Sequence, residues 1–105
     1  MEWFDPWWST ERMDEKFHLA FREQLELEIS PDHCMFGLPV KIIARGDGDD
    51  ALFEILDGSG RVADIHLTWS KSSERLPWPS TTIYASLSEW IEDIMIPQHK
   101  EWANE

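Results

Sequence analysis

The chain has 105 residues, of which 21 are acidic and 9 are basic, giving a formal net charge of −12 at pH 7. This charge argues against nucleic-acid binding, because a strongly negative surface repels a phosphate backbone. Seven tryptophans among 42% apolar residues argue against a disordered acidic tail, since unfolded chains are poor in large apolar side chains. We therefore predict one small folded domain over residues 1–105.

The single cysteine, Cys34, cannot form an internal disulfide, which is typical of a protein from a reducing compartment. The first residues lack the basic start and apolar stretch of a signal peptide. No apolar run approaches the roughly 20 residues that a membrane helix needs. The sequence thus predicts a cytoplasmic protein with no membrane partner.

The first predicted helix lies within residues 6–29, where apolar side chains from Met13 to Leu25 recur at helical spacing. Two starts compete. Asp5-Pro6 forms a favourable N-cap and first-turn pair, and Ser9 is an alternative N-cap. Pro31 ends the helix, because the residue before a proline avoids helical dihedral angles.

The apolar pattern then changes to the alternation of strands over residues 40–44, 51–56 and 61–69, with turns between them. Alternation places Val40, Ile42 and Ala44 on one face of the sheet, which is the predicted core face. The residues of the other two strands that share this face are Ala51, Phe53, Ile55, Ala63, Ile65, Leu67 and Trp69. An odd-length loop or a glycine bulge at Gly58-Ser59 is needed to keep this sorting, and it would set Phe53 opposite Ile65.

Residues 70–82 are predicted as a loop, and a final helix follows. Ser86 and Glu89 form a capping box before an apolar stripe from Leu87 to Met95, and Pro97 kinks or restarts the helix. The predicted fold class is α+β: an N-terminal helix, a three-stranded antiparallel meander and a C-terminal helix, with both helices packed on one face of the sheet.

A polar row on the third strand is the best candidate for catalysis. Asp64, His66 and Thr68 project from one side, so a chain of carboxylate, imidazole and hydroxyl could form. A nucleophile would also need oxyanion donors or a strained turn, which the sequence does not supply. We therefore predict that the protein is not an enzyme; a small-ligand or metal-dependent enzyme that uses this row is the alternative.

The acidic turn over residues 47–50 does not match a calcium loop. An EF-hand that began at Asp47 would place glycine at its sixth position and glutamate at its twelfth, where this chain has Leu52 and Gly58. The histidines and Cys34 lack the paired spacing of zinc ligands, and Cys34 is expected to be partly buried and inert. We expect no metal and no cofactor.

The aromatic N-terminal segment, residues 1–9, contains three tryptophans that either wrap the domain or form an association surface; wrapping is favoured. The outward face of the sheet carries apolar residues such as Leu52 and Val62, which predicts partial cover by these aromatics or by another subunit. Trp78, between two prolines, packs as a lid or anchors a partner.

Several segments resemble, in the same order, a family of small acidic bacterial proteins of unassigned function. The resemblance spans about Phe17 to Trp102 and rests on Ser30-Pro31-Asp32-His33 with Phe36-Gly37, Asp50-Ala51-Leu52-Phe53-Glu54, His66-Leu67-Thr68-Trp69-Ser70, Trp78-Pro79-Ser80-Thr81 and Pro97-Gln98-His99. It implies a role like that of an immunity protein of a toxin system, and it implies no catalytic residues.

Together these observations predict a small acidic protein that binds and neutralises a basic protein partner. A homodimeric structural module is a further alternative, and the chain is expected to be a monomer or a homodimer. The residues predicted to contact a partner are Lys41, Arg45, Asp47, Asp49, Asp50, Glu54, Asp64, His66 and Trp78.

Overall fold

The computed structural model describes residues 1–104, which form an α+β fold around a five-stranded antiparallel sheet. The strands are adjacent in chain order: β1 (Trp8–Ser9), β2 (Val40–Arg45), β3 (Asp50–Ile55), β4 (Val62–His66) and β5 (Ser80–Tyr84). The prediction of three strands is wrong because it missed both edge strands. One has only two residues, and the other follows a proline-rich segment that favours a loop.

Helix α1 (Glu15–Glu28) begins later than either predicted start. Its N-cap is Asp14, whose carboxylate accepts a hydrogen bond from the Phe17 N–H at 2.9 Å. Ser9 belongs to β1 instead. The predicted end is confirmed, because the helix stops at Glu28 with Ile29 in extended conformation as its C-cap.

A C-terminal helix follows β5 as three continuous segments: α2 (Leu87–Trp90), a π-helical stretch (Ile91–Met95) and α3 (Ile96–Ala103). The predicted N-cap is confirmed, since Ser86 Oγ accepts from the Glu89 N–H at 3.1 Å. As predicted, a new α-helical segment begins beside Pro97, which is the second residue of α3, but the chain stays helical across the junction. The Ile96 N–H bonds to the Ile91 carbonyl, and this wider π turn accommodates a proline, which has no N–H to donate.

The two helices lie on opposite faces of the sheet, so the prediction that both pack on one face is wrong. Phe21 and Leu25 of α1 share one core with Phe53, whereas Trp90 of the C-terminal helix shares a second core with Leu52. The physical reason is the apolar content of the outward face, which requires cover. The N-terminal aromatics supply part of that cover, as predicted: Trp7 is buried in the second core, with Trp3 and Phe4 packed against it.

A β-bulge in β2 changes the predicted sorting of side chains. The register with β3 shifts between Ile42 and Ala44, so that Ile43 is the extra residue. Ile42 therefore joins the α1 core while Ala44 joins the second core. Arg45 is turned to the α1 side, where its guanidinium lies 4.8 Å from the centre of the Phe21 ring.

The loop between β3 and β4 has the predicted odd length. Just before β4, Arg61 still lies opposite Ile55, and its carbonyl accepts from the Ile55 N–H at 3.0 Å. The loop that this pair closes therefore covers the five residues 56–60. Phe53 pairs with Ala63, however, and not with the predicted Ile65. Gly58 and Gly60 adopt φ angles of 82° and 79°, a conformation open to glycine, which has no Cβ.

Candidate functional site

The predicted polar row on β4 does not form a hydrogen-bond chain. His66 lies opposite Asp50 of β3 and pairs with it, with 2.9 Å between Nδ1 and Oδ1. Asp64 Oδ2 accepts from Trp90 Nε1 at 2.9 Å, and Thr68 Oγ1 donates to Glu28 Oε1 at 2.9 Å. The row is therefore divided among three partners, and the chain that catalysis would need along this strand is not formed.

Part of the row instead borders a shallow depression at the end of the sheet where β3 begins and β4 ends. We call this surface the Trp78 depression. It has a volume of ≈ 400 Å³ and is lined by Asp49, His66, Leu67, Thr68, Glu74 and Trp78.

Trp69 adjoins the depression through Asp49, which lines it, and has a conformation that the sequence did not predict. It was expected in the core, but it is 44% exposed and has a φ angle of 57°. Its indole Nε1 donates to Asp49 Oδ1 at 2.9 Å, and its ring packs edge-on against Phe21. Because left-handed backbone at a bulky residue costs about 1–3 kcal/mol, the surrounding contacts must hold it.

Glu28, at the end of α1, supplies those contacts. Its carboxylate is fully buried and accepts from the Thr68 N–H at 2.7 Å, the Thr68 hydroxyl at 2.9 Å, the Trp69 N–H at 3.1 Å and Gln24 Nε2 at 2.7 Å. Its backbone carbonyl accepts from the Glu74 N–H at 2.8 Å. One buried acid thus ties helix α1 to the segment that builds the depression.

Sequence reasoning missed Glu28, although a signal was present. Phe21, Leu25 and Glu28 recur at the spacing of one helix face, and a lone carboxylate on an apolar stripe must find hydrogen-bond donors when it is buried.

The electrostatic environment of this end of the sheet is negative. The hydrogen bond to Asp50 raises the pKa of His66, with smaller contributions from Asp49 and Asp64. Burial raises the pKa of Asp64 to about 6, against the hydrogen bond from Trp90 and with help from the charge of Asp50. Cationic groups are therefore favoured here and anionic groups are disfavoured.

Asp64 should make the folded state less stable as the pH rises. Its pKa is raised from 3.8 to about 6, so the unfolded chain loses this proton first, and stability falls between about pH 4 and pH 6. Because Asp64 stays partly solvated, we expect Asp64→Asn to raise the free energy of unfolding by about 1–2 kcal/mol at pH 8. The Asn oxygen can still accept from Trp90.

Urea unfolding at about pH 4 and pH 8 checks this expectation. The two proteins should differ little at the lower pH. An equal effect of the substitution at both pH values would show that Asp64 is not the titrating group.

The structure brings together only some of the predicted contact residues. Asp49, His66 and Trp78 line the depression, and Asp50 adjoins it through His66. Asp64 lies on the same sheet face, one alternate position along β4 from His66.

The other predicted contact residues lie elsewhere. Lys41 and Glu54 face each other across β2 and β3 and line a separate depression of ≈ 280 Å³. Arg45 is engaged internally, since its Nη2 donates to the Gly48 carbonyl at 2.8 Å. Asp47 is exposed in the turn.

Cys34 is exposed, contrary to the expectation of partial burial. Its Sγ lies 3.8 Å from His33 Nδ1, but that nitrogen accepts from the Met35 N–H at 3.0 Å. Within residues 1–104, no group of three or more histidine, cysteine, aspartate and glutamate side chains is arranged to hold a metal ion. Over the same residues, no helix has both the length and the apolar character needed to cross a bilayer.

Comparison with known proteins adds no relative. No family model matches the chain, and neither the curated proteins nor the solved structures yield a significant match. The resemblance described from the sequence remains a prediction.

Proposed function

We propose that this protein binds and neutralises a basic protein partner through the Trp78 depression. The observation that carries the proposal is the combination of two exposed indoles with two carboxylates. Trp78 lines the depression together with Asp49 and Glu74, and Trp69 adjoins it through its hydrogen bond to Asp49. The indoles are 44% and 46% exposed, which is unusual for large apolar side chains that serve only the core.

This combination suits a lysine or arginine side chain. A cation over an indole face is attracted by the ring quadrupole, and a nearby carboxylate adds a charge-assisted hydrogen bond. Tryptophan is also among the residues that contribute most to protein interfaces. The net charge of −12 would attract a basic partner at long range and speed association at low salt.

The depression is also rigidly supported, which favours binding. Glu28 holds the backbone of Thr68 and Trp69, and Asp49 holds the Trp69 indole. A preorganised surface loses less conformational entropy on association than a mobile one.

Capture from a lysate of the organism that encodes the chain tests the proposal. The immobilised protein at low salt should retain a stoichiometric basic protein that a salt gradient releases. The double variant Asp49→Asn with Glu74→Gln should bind that protein roughly tenfold more weakly, since it removes two charges from the depression.

The matched control is Glu23→Gln with Glu92→Gln, which removes two charges at exposed positions outside the depression. It should change the affinity by roughly twofold at most, through net charge alone. Equal losses for the two double variants would show that the depression is not the binding surface. A partner retained independently of salt would contradict the electrostatic basis of the proposal.

A further inference from the structure

We propose that the partner adds an extended basic segment to the free edge of β5 and so continues the sheet beside the Trp78 depression. This inference rests on the proposed function and specifies how the partner docks. β5 begins at Ser80, two residues after Trp78, and Ser80 lies opposite His66, which lines the depression.

The edge of β5 is suited to strand addition. Within residues 1–104, β5 pairs with β4 alone, and their register from Val62 to His66 is uninterrupted. In an antiparallel sheet, alternate residues of an edge strand direct their N–H and C=O groups away from the neighbouring strand. Folded proteins protect such edges with charges, prolines or bulges. Ser80–Tyr84 has none of these devices within it. Pro79 and the contact of its carbonyl with His33 Nε2 at 3.0 Å limit the edge only at the start of the strand.

The opposite edge of the sheet is a poor alternative. β1 has only two residues. The next residue, Thr10, directs its N–H to the Ile43 carbonyl and its hydroxyl to the Ile42 carbonyl of β2, so neither group is available to an added strand. A short edge offers few backbone groups for pairing. β5, with five residues, is therefore the edge at which an added strand would gain a continuous ladder.

Charge identifies the occupant as a basic segment. Asp64 lies opposite Thr82, and together with Asp93 and Glu89 it raises the pKa of Tyr84, after the larger effect of burial. A second copy of this chain, paired edge to edge through β5, would bring the same carboxylates together and be repelled. An extended segment with lysine or arginine at alternate positions would instead direct its charges to one face.

The probe for this inference is a short capped peptide of alternating lysine and valine, added to the full-length protein at low salt. Amide hydrogen exchange followed by NMR should show roughly tenfold slower exchange for the outward amides of Ser80–Tyr84 when the peptide is bound. The same peptide N-methylated at alternate backbone amides keeps its charge but loses donors. It should bind at least roughly tenfold more weakly.

A matched pair of variants separates local charge at the edge from net charge. Thr82→Lys places a cation on exposed β5 and should weaken peptide binding roughly tenfold, whereas Ala20→Lys, on the exposed side of α1, should weaken it roughly twofold at most. Equal effects of the two would overturn the proposal.

Failure of this inference is distinguishable from failure of the proposed function. If the salt-sensitive partner is captured but bound peptide leaves the exchange of Ser80–Tyr84 unchanged, the docking mode is wrong and the proposed function stands. Equal affinity of the two peptides would show that charge alone accounts for peptide binding, and it would likewise overturn the proposed docking mode. Dimerisation through β5 without a partner, detected by analytical ultracentrifugation, would make a second copy the occupant and overturn the proposal.

Discussion

Replacing Trp7 with alanine is expected to lower the free energy of unfolding by about 3–5 kcal/mol, the range found for large aromatic residues in cores. Trp7 is 1% exposed. Its ring meets Trp90 edge-on with 4.8 Å between ring centres, and its Nε1 donates to Gln98 Oε1 at 2.7 Å. The substitution would open a cavity between the sheet and the C-terminal helix and leave the Gln98 oxygen without this donor.

The adjacent tryptophan provides the control. Trp8 has the same chemistry and nearly the same position in the chain, but it is 42% exposed. Trp8→Ala should therefore cost no more than about 1 kcal/mol. Circular dichroism during urea unfolding is the suitable measurement, because it does not depend on the indole that has been removed.

Similar costs for the two variants would contradict the conclusion that the N-terminal segment completes the second core. The close approach of Trp7 to Gly46 supports that conclusion, because a Cβ on Gly46 would lie 2.9 Å from atoms of the Trp7 ring. The glycine is needed there because the indole packs directly against the backbone of the turn between β2 and β3.

The elements that the sequence predicted well are those with a local signal. β3 lies between two turns rich in glycine and aspartate, the second of which precedes β4, and Ser86 with Glu89 marks the start of the C-terminal helix. β4 has no such signal at its end, and it stops at His66, three residues before the predicted end at Trp69. The missed edge strands had no such signal. β5 is recognised by its pairing with β4, and β1 by its pairing with β2, and both pairings depend on tertiary contacts that composition does not encode.

The candidate site depended on register in the same way. Asp50 pairs with His66 because the loop over residues 56–60 sets the alignment of β3 with β4, and a shift of one residue would have changed the partner. The bulge at Ile43 likewise turned Arg45 toward Phe21 and removed it from the predicted surface. The kinds of side chain in the site could be predicted, but not which of them meet.

Replacing Glu28 with glutamine is expected to lower the free energy of unfolding by about 2–4 kcal/mol, although the side chain changes little in size. The carboxylate is 0% exposed and accepts hydrogen bonds from Thr68, Trp69 and Gln24. An amide has one oxygen to accept with and brings an NH₂ group that faces other donors. At least one buried donor would therefore lose its partner.

Glu26→Gln is the matched control, since Glu26 lies in the same helical turn. Its carboxylate is exposed and lies 3.5 Å from Arg22 Nε in a surface ion pair, which contributes at most about 1 kcal/mol. Urea unfolding should separate the two variants clearly.

The loss at Glu28 should also reach the depression, because the left-handed backbone of Trp69 is held by this carboxylate. In the Glu28→Gln protein, amide hydrogen exchange should become faster than in the unsubstituted protein at Thr68 and Trp69, and by more than it does in α1. A Glu28→Gln protein as stable as Glu26→Gln would mean that the depression is held by other contacts.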